Sequence, residues 1–108
     1  MRNYTAGHDA IENSDLPKLR EAVRMGADVE EEAGGLSLLQ HAIDVESQEL
    51  LNCNHLSADM TSFLLEAGAD PLRPAGDIRI SAQQMAVETG HWMATELIDE
   101  WIKNHSTG

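Results

Sequence analysis

Phe63-Leu64-Leu65-Glu66-Ala67-Gly68-Ala69-Asp70 has an earlier counterpart in Leu19-Arg20-Glu21-Ala22-Val23-Arg24-Met25-Gly26-Ala27-Asp28. Each copy is an apolar helical run closed by Gly-Ala-Asp. Glycine just past a last helical turn accepts the left-handed backbone that stops a helix, and the Asp that follows can fold back onto its own backbone in a turn. The same stop signal occurring twice predicts an internal repeat.

Other landmarks recur in order. A hydroxyl residue precedes an alanine by five positions in Thr5 and Ala10, Ser37 and Ala42, and Ser81 and Ala86. The hydroxyl suits the N-cap of a short helix, and the small alanine lets that helix approach a neighbour closely. The third unit continues through Glu88-Thr89-Gly90-His91-Trp92 to Leu97-Ile98.

On these residues the chain resembles the ankyrin repeat family, whose unit of roughly 33 residues reads T-P-L-H-x-A, then a Gly between two helices, then Leu-Leu and Gly-Ala-Asp. The T-P-L-H element stands here as Thr5-Ala6-Gly7-His8, Ser37-Leu38-Leu39-Gln40 and Ser81-Ala82-Gln83-Gln84. The resemblance runs from about Thr5 to about Ile102 and implies an all-α ankyrin-repeat solenoid. It would have three helix-turn-helix units, 5–36, 37–80 and 81–103, with projecting β-turn fingers, in a single domain over 1–108. Ala10 and Gly26 are 16 residues apart, but Ala42 and Gly68 are 26 apart. The excess predicts an insertion over 47–57, between the two helices of the middle unit, in place of a tight turn. A loop of that length adds little closure entropy, and Leu50, Leu51 and Leu56 could anchor it on its own repeat or on a partner.

In order along the chain, Asp15 or Ser14 can cap a second helix with Pro17 in its first turn, and Leu16, Leu19, Ala22 and Val23 fall near one face. Lys18, Arg20 and Arg24 read as its solvated side. Gly34-Gly35 suit a turn, preceded by Glu30-Glu31-Glu32, which repel one another and gain nothing from the fold. Leu38, Leu39, Ala42 and Ile43 are expected in the core. Pro71 and Pro74 bar the second finger from an extended sheet. Met85, Ala86, Val87, Met93, Leu97, Ile98 and Trp101 are expected to pack the last helices. Trp92 and Trp101 either cover the open end of the core or make a sticky end, and 104–108 should fray.

A net charge of −12 over 108 residues favours basic partners and argues against nucleic acid or an anionic membrane surface. Residues 25–72 hold no Lys or Arg but ten acids, from Asp28 to Asp70. No apolar run approaches the roughly 20 residues of a spanning helix, and the first residues open no signal peptide, so the expected compartment is the cytoplasm. The single Cys53 excludes an internal disulfide. Asn3-Tyr4-Thr5 and Asn104-His105-Ser106 match a glycosylation sequon that has no meaning without secretion. Catalytic chemistry is thin: His41 and Asp44 share a helix, but there is no Cys-x-x-Cys, no phosphate-cradling loop and no nucleophile with a partnered base. No catalytic residue, metal ligand or cofactor is assigned.

The resemblance implies a non-catalytic protein-protein interaction module whose concave face is built by fingers and first helices. Its variable positions fall on Glu12 and Asn13, on Ala33, Gly34, Leu36, Asp44 and Val45, and on Asp77, Ile78, Ile80, Glu88 and Thr89. Glu30, Glu31, Glu32, Asp44, Glu46 and Glu88 would supply acidic complementarity to a basic protein, with Leu36, Val45 and Ile80 as the desolvated centre. An inhibitor or immunity protein of a toxin would fit, as a monomer or weak homodimer. The alternative is a structural protein that self-associates through Trp92 and Trp101.

Overall fold

The computed structural model describes residues 5–105; the sequons reach beyond them through Asn3, Tyr4 and Ser106, as does the tail 106–108. The described chain is mostly helical, in the order α1 (Ala6–Glu12), α2 (Leu16–Arg24), β1 (Glu32–Ala33), β2 (Leu36–Ser37), α3 (Leu38–Cys53), α4 (Asp59–Glu66), α5 (Ala82–Thr89) and α6 (Trp92–His105). No described helix is long and apolar enough to cross a membrane.

The hydroxyl caps act as their spacing predicts. Thr5, Ser37 and Ser81 sit at the N-caps of α1, α3 and α5, and each accepts from the backbone N–H three residues on, of His8, Gln40 and Gln84. Ser37 and Gln40 close a full capping box, satisfying two orphan donors at once. The alanines that follow, Ala10, Ala42 and Ala86, are all buried.

The two Gly-Ala-Asp stops are superimposable in their hydrogen bonds. Gly26 N–H reaches the Val23 carbonyl and Ala27 N–H that of Ala22; Gly68 N–H reaches Leu65 and Ala69 N–H reaches Leu64. Both glycines are left-handed, at φ 103° and 108°, the geometry of a Schellman stop. The Asp carboxylates then fold back in the same way, Asp28 accepting from Glu30 N–H and Asp70 from Leu72 N–H, each at 2.9 Å. Asp15 caps α2.

The helices lie in two layers. In one, α3 lies between α1 and α5; in the other, α4 lies between α2 and α6. A continuous core runs through all three helix pairs, with Ile11, Leu19, Leu38, Ile43, Leu64 and Ile98 fully buried. Between α2 and α3, β1 and β2 form a hairpin pairing Glu32 with Ser37 and Ala33 with Leu36, turned by Gly34 and Gly35. Ahead of α5 a single bridge joins Ala75 to Ile80.

Three expectations are corrected. The insertion is not a loop throughout: α3 continues to Cys53 and ends on left-handed Asn54, because Ser47 to Cys53 contains no Gly or Pro to stop it. Leu51 and Cys53 ride exposed on that extension. Val87 and Trp92 do not cover the core; they are 63% and 58% exposed, since no described helix packs on their side of α5 and α6. Trp101 does pack against the core. Fraying does not reach Asn104 or His105, because His105 stacks on Trp101 at 4.0 Å between centroids and keeps α6 helical to its end.

Candidate partner-binding face

The layer α1, α3 and α5 contains no Lys or Arg. Its acids are Asp9, Glu12, Asp44, Glu46, Glu49 and Glu88. Lys18, Arg20, Arg24 and Lys103 all belong to α2 and α6 of the opposite layer. The only other bases among the described residues, Arg73 and Arg79, stand on the second finger.

Those two arginines change the reading of the first finger. Glu30 accepts from Asp70 N–H at 2.9 Å and lies 3.8 Å from Arg73; Glu32 lies 3.9 Å from Arg79. Glu31 accepts from the Thr5 hydroxyl at 2.9 Å. The three glutamates therefore tie the finger to its neighbours, contrary to the expectation that they gain nothing from the fold. Adjacent fingers bring together charges more than forty positions apart. Such exposed pairs add well under about 1 kcal/mol each, but they offset the acidic field at the fingers.

One side chain from each of α1 and α3 reaches forward to the following finger. Gln40, in the third position of α3, accepts from Ser37 N–H and donates its amide to the Ala75 and Ile80 carbonyls at 3.0 and 2.9 Å. His8, at the same position of α1, donates Nε2–H to the Glu31 carbonyl at 3.3 Å. A carbonyl can only accept, so His8 Nδ1 is left to accept from His41 Nδ1–H across 2.9 Å. Burial holds both imidazoles below the usual histidine value. The Glu31 carbonyl opposes this at His8; at His41 the Glu12 and Asp44 carboxylates do so. His41 thus belongs to a buried pair rather than to a surface His and Asp site.

Glu46 is the clearest correction. Expected on the binding face, it is 1% exposed and accepts from Met60 N–H, Thr61 N–H, the Thr61 hydroxyl and His91 Nε2 at 3.0, 3.4, 2.6 and 2.8 Å. The α4 N-cap, Ala58, has no side chain able to cap, so Glu46 caps α4 from the neighbouring helix. His91 Nδ1 accepts from Ala94 N–H and so caps α6. One buried pair closes the N-termini of two helices, α4 and α6.

The remaining sequence-derived positions divide by exposure. Leu36, Val45 and Ile80 are half-buried against the core. Asp44 is half-buried, while Asn13, Asp77, Ile78, Glu88 and Thr89 are exposed. Among the described residues no three His, Cys, Asp or Glu side chains are grouped to hold a metal ion. No protein-family model matches the chain, and no curated protein matches it.

Proposed function

We propose that this chain is an ankyrin-type solenoid of three helix-pair units, and that it serves as a non-catalytic binding module for a basic protein. Support for the solenoid comes from register: equivalent hydroxyl caps, buried alanines, Schellman stops and forward-reaching His8 and Gln40 recur at equivalent places. The observation that carries the function is the absence of any Lys or Arg from the α1, α3 and α5 layer. With Glu46 buried and the finger glutamates engaged, recognition falls to Asp44, Asp77 and Glu88 around the apolar edges of Leu36, Val45 and Ile80. Carboxylates on a rigid scaffold accelerate encounter with a cationic partner and reject phosphates. A small acidic module of this kind suits an inhibitor or immunity protein that occupies a basic toxin.

The test is capture from the native lysate at low and high salt, with the bound protein identified by mass spectrometry. A basic protein retained at low salt and released at high salt is expected. If the partner is a toxin, co-expression with this chain should relieve its effect. Recovery of an acidic partner, or of one indifferent to salt, would contradict the proposal.

A further inference from the structure

The outward side of the last helix pair differs from its counterparts in a way that register makes plain. Ile11, Ile43 and Val87 each directly follow the buried alanine of a first helix. Ile11 and Ile43 are fully buried, whereas Val87 is 63% exposed. Leu16 and Trp92 each open a second helix, and Leu16 packs against the core while Trp92 is 58% exposed. His8 and Gln40 bind the finger that follows their own helix pair, whereas Gln84 at the same position turns to Glu88 and stays exposed. In the first two units this side is covered by the helices that follow. In the third no described helix covers it, and it holds a depression of about 320 Å³ lined by Ala86, Val87, Gly90, Trp92, Thr95 and Glu96.

We infer that this end face, centred on Val87 and Trp92, is a docking surface for an amphipathic basic helix of a partner protein. The shape follows from the repeat, since a helix pair already packs on this side of α3. The charge follows from the rim: Glu96 lines the depression, and exposed Asp99 stands one turn on from it along α6, with Lys103 a further turn away. A second copy meeting this face in two-fold fashion would place the same patch against itself, setting Glu96 near the copy's Glu96 in a freshly desolvated seam. A helix with aliphatic residues on one side and Lys or Arg beside them fills the depression and answers the acids. Trp92 has the character of an interface anchor, a large flat apolar body on a rigid element. The inference rests on the equivalence of the three units proposed above, and is separate from the acidic layer.

The test uses the whole chain and two synthetic helical peptides, one of Leu and Lys and one of Leu and Glu. The two Trp indole N–H resonances are assigned with Trp92→Phe, and peptide is titrated while both are followed. The Leu and Lys peptide should shift the Trp92 resonance saturably and leave Trp101 in place. The exposed substitution Val87→Lys should weaken that response at least about tenfold, while Asp44→Lys leaves it unchanged. An unmoved Trp92 resonance, or an equal response to the Leu and Glu peptide, would overturn the inference. So would self-association through Trp92 in sedimentation of the chain alone. Loss of binding in Asp44→Lys but not in Val87→Lys would refute the end face and leave the acidic layer standing.

Discussion

Replacing Glu46 tests whether one buried carboxylate joins two helix pairs. Glu46→Ala strands the N–H groups of Met60 and Thr61, the Thr61 hydroxyl and His91 Nε2–H in a site where Glu46 was 1% exposed. Each of these four buried orphans costs at least about 1 kcal/mol. Loss of the α4 cap, about 1 kcal/mol, is contained in their total rather than added to it. The expected loss is therefore about 4 kcal/mol, a large part of the roughly 5–15 kcal/mol available to a domain. At about 4–8 °C per kcal/mol for a chain near this size, the melting temperature should drop by roughly 15–30 °C. Glu46→Gln should lose about 2 kcal/mol, because an amide turned either way presents N–H to a donor that its oxygen formerly met. Thermal and urea unfolding followed by circular dichroism read both variants. A Glu46→Ala melting temperature within a few degrees of the parent would refute the reasoning, as would no coupling between Glu46→Ala and His91→Ala in a double-mutant cycle.

Three further outcomes are expected. Gly76 is left-handed at φ 75°, and a Cβ there would meet the Gly35 carbonyl oxygen at 2.5 Å and Gln40 Oε1 at 2.7 Å, so Gly76→Ala should cost about 3 kcal/mol by adding loss of the Gln40 bridge to backbone strain. Gly68→Ala meets nothing within 4 Å and should cost only the left-handed strain of about 1 kcal/mol; equal costs in urea unfolding would contradict this. For His8 and His41, folding lowers both pKa values from 6.5, so the unfolded chain binds protons more readily. Their contribution is intact above pH 6.5 and is lost as the pH falls below 6.5 through the folded values. His8→Gln, which installs the residue that does the same work at Gln40, should keep the forward tie to the Glu31 carbonyl and flatten this acid limb in melting curves taken across pH. An unchanged acid limb would count against the pair.

What could be read from the sequence was local. A hydroxyl with its capping partner three residues on, a glycine after an apolar run and an Asp after that glycine each act within one turn of chain. Thr5, Ser37, Ser81, Gly26 and Gly68 accordingly behave as their spacing predicts. The insertion was visible as a count, but a count does not say whether extra residues loop out or lengthen a helix; the absence of Gly and Pro from Ser47 to Cys53 was the available signal. Glu46 could not be placed because its donors lie 14 to 45 residues away and a lone glutamate on a helix reads as solvated. Ala58, a poor cap at a helix start, was the hint that a cap comes from elsewhere. The finger glutamates were misread for the same reason: Arg73 and Arg79 stand just outside the base-free stretch and return only when the fingers pack side by side.

The central claim is that the layer of α1, α3 and α5 meets a basic protein. Its most direct measurement is a titration of the captured partner against the parent chain and the triple variant Asp44→Lys, Asp77→Lys and Glu88→Lys, over a range of salt. Tight, salt-dependent binding by the parent is expected, with loss of both affinity and salt dependence in a variant that still melts like the parent. Equal affinity of the two proteins at every salt concentration would contradict it.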